Sequence, residues 1–245
     1  MTSSLGADGP AAFGWDHEPA RLVEDLRRFD SARLRVGVLV WPEFTLLALA
    51  GFIDALRLAG DTGDRSRQLL CRWRIMASSA EPVASSCGVR VTPSGPLVDA
   101  SEFDYIAVVA GRTQHIDDAP ASHFDYLKKA SGATLIGLGT GSFVLAKLGL
   151  LDGYRACVAN YHYREFSERF PQVPVVFDQL FSIDRNRITC AGGAASIDLA
   201  AHLINKHCGS DRGLKIRHTM SRAAMGPLTH FQPLRALQHC RRRFP

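Results

Sequence analysis

The stretch Thr134-Leu-Ile-Gly-Leu-Gly-Thr-Gly141 decides the fold class of this chain. It is a short apolar run in which glycine recurs at every second position from Gly137 to Gly141. Such a run, stopped by small residues, is typical of a buried parallel strand. Residues 142–148, which follow directly, have a helical pattern. The stretch therefore predicts a tight turn that leads from a buried strand straight into a helix.

Segments of the same two kinds lie on both sides of this turn. Apolar or alternating runs predict strands at 34–40, 71–77, 88–92, 105–110, 155–159, 173–176, 179–183 and 187–190. Runs with helical spacing predict helices at 45–60, 123–130, 162–170 and 194–207. Because strands alternate with helices and the central strands are apolar on both faces, we expect an α/β fold. Its sheet is predicted to be mostly parallel and doubly wound, with helices on each side.

Composition excludes several classes of protein. The 245 residues are 46% hydrophobic and 22% charged, close to globular averages, which argues against a disordered or fibrous chain. No apolar stretch approaches the ~18–20 residues of a membrane span. Residues 1–12 lack the features of a secretory signal. The six cysteines form no CxxC pair, so we expect reduced thiols in the cytoplasm, no metal and no cofactor.

Charge is distributed unevenly along the chain. The net charge is +5, yet residues 1–32 carry six acids against three bases, and residues 209–245 carry eight bases against one acid. We interpret residues 1–32 as a flexible arm, residues 33–209 as the folded domain and residues 210–245 as a basic tail. Since the body is almost neutral, it has no electrostatic footprint for nucleic acid. Direct DNA binding through the tail would be weak, salt-sensitive and independent of sequence.

The glycine-rich turn has the frame of a nucleophile elbow without the nucleophile. That pattern is Gly-x-nucleophile-x-Gly at a strand-to-helix turn. The central residue here is Gly139, which has no side chain that could attack a substrate. A dinucleotide site is disfavoured because the third glycine of its fingerprint is replaced by Ser142.

A small binding pocket is nevertheless expected next to this turn. The apolar strand predicted at 105–110 ends in Gly111. Ligands of open α/β sheets bind beyond the carboxyl ends of the strands, where the strand order reverses. Gly111 and Thr140 are therefore candidates to offer backbone N–H groups to a ligand.

Five stretches of the ordered body resemble the ThiJ/PfpI, or class I glutamine-amidotransferase-like, superfamily. More narrowly, they resemble the amino-terminal domain of GlxA-type, AraC-family transcriptional regulators. The stretches are Phe44–Leu56, Phe103–Gly111, Ile136–Ala146, Gly149–Ala156 and Cys190–Leu203. The resemblance implies a flavodoxin-like, three-layer sandwich and a homodimer.

The sequence departs from the enzymes of that superfamily at each catalytic position. The resemblance implies a cysteine in the elbow, a nearby histidine and an acid in the first helix. The matching residues here are Gly139, Ala159 and Ala48, and Glu43 lies before the helix. We therefore expect no catalytic residue. The residues predicted to line a ligand site are Gly111, Gly139, Thr140, Ala159, Asn160 and Gly193.

These features predict a non-catalytic domain for ligand sensing and dimerisation, related to transcriptional regulators. Its expected partners are an unknown small-molecule effector and a second copy of the chain. We expect no contact with a membrane. The family's regulators continue into two helix-turn-helix motifs, whereas 36 residues follow Gly209. We expect DNA binding only if such a module is present elsewhere. The alternative is an amidase-, hydratase- or glyoxalase-like enzyme that uses displaced residues such as Cys157 with His162, and that would need a lowered thiol pKa.

Overall fold

The computed structural model describes residues 32–60, 68–176 and 178–220. The predicted arm, except its last residue, lies outside the described residues, as does the predicted tail beyond residue 220.

Strands and helices alternate along most of the described chain. The strands are β1 (Leu34–Val40), β2 (Cys71–Ala77), β3 (Val83–Ala84), β4 (Arg90–Val91), β5 (Gly95–Pro96), β6 (Tyr105–Ala110), β7 (Thr134–Gly139), β8 (Ala156–Cys157), β9 (Val175–Val176), β10 (Phe181–Asp184) and β11 (Arg187–Cys190). The helices are α1 (Leu46–Gly60), α2 (Ala121–Lys129), α3 (Gly141–Lys147), α4 (Tyr163–Arg169), α5 (Ala195–Cys208) and α6 (Ser210–Thr219). None of these helices is long and apolar enough to cross a membrane.

Seven strands form one sheet in the order β10-β11-β7-β6-β1-β2-β5. All neighbouring pairs are parallel except β10 and β11, which form an antiparallel hairpin at one edge. From β1 the chain first adds β2 and β5 on one side. It then returns to add β6, β7 and the β10–β11 hairpin on the other side of β1. The strand order therefore reverses between β1 and β6, and the predicted doubly wound α/β fold is confirmed.

The helices cover both faces of this sheet because successive side chains of a strand point to opposite sides. Val36, Val38 and Val40 of β1 pack in a buried cluster with α1, α5 and α6. Leu39 and Trp41 belong to a second cluster, on the face that carries α2, α3 and α4. Two cores separated by one sheet make the three-layer sandwich that the resemblance implied.

Three of the predicted strands, those at 88–92, 155–159 and 173–176, lie outside the main sheet. The segment predicted at 88–92 contains β4, which pairs with β3 in a short antiparallel hairpin. The segment predicted at 155–159 contains β8, which pairs with β9 in a separate two-stranded ladder. The edge of the main sheet beyond β2 is instead β5, where Pro96 is tolerated because an edge strand has one unpaired side.

Helical structure also continues past the predicted boundary at Gly209, which is a correction to the sequence analysis. Gly209 has a φ of 96° and turns the chain from α5 into α6. Ile216 of α6 is buried in the cluster formed by α1 and α5, and the Arg212 guanidinium donates to the carbonyl of Ala59. The folded unit therefore includes residues 210–219, which the sequence analysis assigned to the tail.

A buried arginine joins β11 to the elements around it. The guanidinium of Arg187 donates to the carbonyls of Leu150 (2.7 Å), Ala133 (3.1 Å), Asn186 (2.9 Å) and Ser131 (2.8 Å). The residue is only 5% exposed, so water cannot replace these bonds. One side chain thus satisfies four carbonyls at the amino-terminal edge of the sheet.

We expect Arg187→Ala to lower the free energy of unfolding by about 3–4 kcal/mol, because it removes four hydrogen bonds and the packing of a large side chain from a buried position. Urea unfolding followed by circular dichroism measures this effect. The matched control is Arg164→Ala, whose side chain is 83% exposed and pairs with Glu168, and which should cost less than about 1 kcal/mol. Equal losses for the two variants would contradict the structural role of Arg187.

Candidate ligand-binding site at the strand carboxyl ends

The turn from β7 to α3 keeps the geometry of a nucleophile elbow. A Cβ on Gly137 would lie 2.6 Å from the Ser142 nitrogen, and a Cβ on Gly141 would lie 2.1 Å from the Val108 carbonyl oxygen. Both positions therefore exclude any side chain. Gly139 has a φ of 61°, but a Cβ there would meet its nearest atom, the Ala110 carbonyl oxygen, at an ordinary 3.4 Å. The flanking glycines are needed for packing, whereas the central position has room for a side chain.

The turn from β11 to α5 packs directly against this elbow. A Cβ on Gly192 would lie 2.6 Å from the Gly139 Cα, and Gly192 has a φ of 84°. Gly193 follows with a φ of 56°. On the other side, the Thr140 hydroxyl donates to the Gly111 carbonyl at 2.9 Å. The structure thus brings together Gly111, Gly139, Thr140 and the Gly192–Gly193 turn at one edge of the sheet.

A charged pair lies at the point where the strand order reverses. Glu43 follows β1 and has a φ of 57°, an uncommon and strained conformation for a residue with a side chain. A Cβ on Gly111 would lie 2.0 Å from the Glu43 carbonyl oxygen, so only glycine fits there. Arg112 comes next after β6, with its Nη1 3.8 Å from Glu43 Oε2. One acid and one base therefore stand at the rim of the predicted pocket.

Sequence reasoning considered Glu43 but missed Arg112. A signal was present in the position of Arg112, directly after the glycine that ends a central strand. The side chain of Arg112 is 56% exposed and that of Glu43 is 30% exposed, so both remain accessible to a ligand in water.

Ala159 and Asn160 lie on a segment that packs beside the elbow helix. They follow β8, whose Cys157 N–H donates to the Thr189 hydroxyl of β11 at 2.7 Å. The His162 ring in the same segment stands edge-on to the Phe143 ring of α3, with centroids 5.6 Å apart. These contacts tie the segment to α3 and β11, and the place of Ala159 and Asn160 in the site stays a prediction.

The hydroxyl groups of the elbow are occupied by backbone carbonyls. Thr140 donates to Gly111, and Ser142 donates to the Gly139 carbonyl at 2.9 Å. Ala48, where the resemblance implies an acid, is fully buried in the core formed by α1. The site therefore consists mainly of backbone, small side chains and a charged rim.

The environment of Cys157 is the opposite of what a displaced nucleophile requires. Its side chain is fully buried and its thiol donates to the Gln179 carbonyl at 3.1 Å. Burial raises the pKa of Cys157 to about 12. Both observations argue against the lowered pKa that the alternative with His162 needs, and that alternative stays a prediction.

Comparison with curated proteins gives the nearest functional context. No family model matches the chain. It is 37% identical over 180 residues to the HTH-type transcriptional regulator CdhR of Pseudomonas aeruginosa, which covers 73% of this chain and 52% of that protein. The HTH-type transcriptional regulator GlxA of Rhizobium meliloti is 28% identical, over 78% of this chain and 58% of its own length. The chain thus spans about half the length of the curated regulators it matches.

An enzyme also shows similarity to the chain. Isonitrile hydratase of Pseudomonas putida is 28% identical over 82% of this chain and 83% of its own length.

Solved structures agree with the fold. A ThiJ/PfpI family protein from Pseudomonas syringae superposes with a TM-score of 0.65 at 19% identity, over 91% of this chain and 84% of that one. An AraC family transcriptional regulator from Pseudomonas putida superposes with a TM-score of 0.63 at 22% identity, over 76% of this chain and 99% of that one.

By fold, the chain is an α/β protein of the ThiJ/PfpI type. More narrowly, its sequence relatives are transcriptional regulators of the GlxA and AraC type. The resemblance predicted from its motifs is confirmed.

The different roles of the elbow glycines can be tested by substitution. We expect Gly139→Ala to lower the free energy of unfolding by about 1 kcal/mol, the cost of a positive φ with a Cβ. Gly141→Ala should cost about 3 kcal/mol or more, because its Cβ would overlap the Val108 carbonyl. Urea unfolding distinguishes the two, and a larger loss for Gly139→Ala would refute the assignment of the open position.

Cysteine labelling tests the assignment of Cys157. At pH 7, iodoacetamide should modify Cys87 at least about tenfold faster than Cys157. Cys87 is exposed, and a hydrogen bond from Ser85 lowers its pKa, whereas burial raises that of Cys157. Peptide mass spectrometry after timed labelling measures both rates. Faster labelling of Cys157 would revive the displaced-nucleophile alternative.

Proposed function

We propose that the folded unit is a non-catalytic domain that binds a small-molecule effector and dimerises in the control of transcription. The observation that best supports this proposal is the geometry of the turn from β7 to α3. Its glycine frame is complete, and its central φ is that of an elbow, but Gly139 places no reactive atom there. The relatives among HTH-type transcriptional regulators support a regulatory role.

Three positions together support the absence of catalysis. Acyl transfer and hydration on this scaffold require a group that attacks and groups that move a proton. The residues that match the superfamily's catalytic positions are Gly139, Ala159 and Ala48, and none carries an ionisable or nucleophilic atom. The nearby hydroxyls of Thr140 and Ser142 donate to carbonyls, and burial raises the pKa of the Cys157 thiol.

The shape and charge of the carboxyl edge of the sheet support ligand binding. Glycines at 111 and 192 allow three turns to pack together, and Gly139 leaves the centre of the elbow without a side chain, so that a ligand can approach the backbone there. Glu43 and Arg112 supply a carboxylate and a guanidinium at the rim. The charged pair and the glycine-rich turns together favour a small, charged effector that binds against the backbone of these turns.

The remaining partners follow from the comparison with the longer relatives. The proposed effector domain has a second copy of itself as its dimer partner. Sequence-specific DNA contacts would be made by a helix-turn-helix module outside the folded unit. We propose a cytoplasmic location, which the similarity to transcriptional regulators supports.

An enzymatic function is the second candidate, favoured by the similarity to isonitrile hydratase along 83% of that enzyme's length. The two candidates separate in a turnover assay. We expect the purified chain to show no isonitrile hydratase, amidase or glyoxalase activity above a protein-free blank. Turnover that copurifies with the chain would overturn the non-catalytic proposal, and its loss in Cys157→Ala would assign the activity to the displaced thiol.

Effector binding is tested by filling the elbow. A panel of small charged metabolites is screened by thermal shift, and any compound that stabilises the chain is titrated by calorimetry. Gly139→Leu should weaken that compound at least about tenfold, because the side chain projects into the proposed site.

The matched control is Gly153→Leu. Gly153 has a φ of 72°, so it imposes similar backbone strain, and a Cβ there meets nothing within 4 Å. This variant should bind as the unmodified chain does. Equal affinity for Gly139→Leu and the control would place the effector elsewhere.

A further inference from the structure

Two buried thiols meet at the end of the sheet opposite the proposed effector site. Cys71 is the first residue of β2, and Cys208 is the last residue of α5. Their Sγ atoms are 3.6 Å apart, although 137 positions separate them in the chain. Cys71 is fully buried and Cys208 is 7% exposed. Since a disulfide is about 2.05 Å long, a shift of about 1.5 Å would bring the two sulfurs to bonding distance.

We propose that Cys71 and Cys208 form a redox-sensitive dithiol, which hydrogen peroxide oxidises to a disulfide that pins the α5–α6 junction to β2. This modification site does not rest on the proposed effector binding. It lies at the amino-terminal edge of the sheet, whereas the elbow lies at the carboxyl edge.

Cys208 is the sulfur that reacts first. Its pKa is lowered by the hydrogen bond with Cys71, and the Arg212 and Arg33 guanidinium groups act in the same direction. The same hydrogen bond and burial raise the pKa of Cys71. Arg212 is held on α6 by its bond to the Ala59 carbonyl, so the positive charge is fixed near the pair. Because the thiolate is the nucleophile, the more exposed Cys208 meets the oxidant as the more reactive thiol.

The chemistry has two balanced steps. The Cys208 thiolate attacks one oxygen of hydrogen peroxide, so an S–O bond forms, the O–O bond breaks and hydroxide leaves. The Cys71 sulfur then attacks the sulfenic sulfur of Cys208, so the S–S bond forms and the S–O bond breaks. The departing hydroxide takes up the thiol proton as water. Overall, two thiols and one hydrogen peroxide give one disulfide and two waters.

The other buried thiols provide a built-in comparison. Cys157 donates to the Gln179 carbonyl, and the Cys190 sulfur accepts the Gly192 N–H at 3.5 Å. Burial raises the pKa of both. The charge of nearby Cys157 also raises the pKa of Cys190, but these two sulfurs hydrogen-bond to backbone groups, whereas the sulfurs of Cys71 and Cys208 contact each other. Oxidation should therefore select Cys71 and Cys208.

The disulfide would act on the junction between two helices. It would close a loop of 138 residues, counted from 71 to 208 inclusive, and such a long loop strongly restricts the unfolded chain. We expect the oxidised protein to melt about 5–15 °C above the reduced protein. Gly209, which follows Cys208 with a φ of 96°, would be anchored beside β2.

The experiment uses the full chain with the substitutions Cys87→Ser and Cys240→Ser. Neither position can then form a mixed disulfide. The reduced protein is treated with hydrogen peroxide at pH 7, alkylated, digested and mapped by mass spectrometry. We expect one cross-linked peptide that contains Cys71 and Cys208, a raised Tm, and reversal of both by dithiothreitol. Loss of the Cys208 thiol should be at least about tenfold faster than loss of the Cys157 thiol.

Cys71→Ser separates the two steps. In this variant the serine hydroxyl can still donate to Cys208, but no second thiol is present, so the sulfenic acid of Cys208 should persist and be trapped by dimedone. The matched control Cys190→Ala should still form the cross-link. Recovery of free Cys71 and Cys208 from the folded, peroxide-treated parent chain would overturn the proposal without reliance on either variant. A cross-link that forms only after unfolding in urea would also overturn it.

Discussion

The carboxyl edge of the sheet is organised by backbone packed against backbone. Gly141 sits against the Val108 carbonyl, Gly192 against the Gly139 Cα and Gly111 against the Glu43 carbonyl, each too close for a Cβ. These three contacts lock the turns after β7, β11 and β6 to one another and to the end of β1. Since four separate segments meet there, a side chain at any of the three glycines would push apart the edge on which the site is built.

This constraint explains how the elbow can keep its shape whatever residue stands at its centre. The flanking glycines serve the packing of β7 and α3, so the fold needs them regardless of activity. The central residue is under no such steric demand, since a Cβ on Gly139 would meet only ordinary contacts. The shape of the site and its reactivity therefore depend on different residues. A residue without a reactive side chain can therefore stand at position 139 while the glycine-rich turns keep the shape of the proposed ligand site.

Local patterns in the sequence predicted the parallel core, because each central strand is a short apolar run of its own, as in β6 and β7. The same patterns located Gly111, Gly139 and Thr140. They missed α6, whose ten residues include only two large apolar side chains, Leu214 and Ile216, so that no periodicity marks it. They also could not predict contacts between residues that are far apart in the sequence, such as the contact between Cys71 and Cys208.

Helix α5 connects the two ends of the molecule that carry these features. It begins just after the Gly192–Gly193 turn, which packs against the elbow, and ends at Cys208, beside β2 and the start of α6. Fourteen residues at 1.5 Å each give it a length of about 21 Å. Its buried apolar residues, from Ala195 to Cys208, pack in the same core as α1 and the sheet. The site proposed for an effector and the junction proposed for oxidation are therefore the two ends of a single helix.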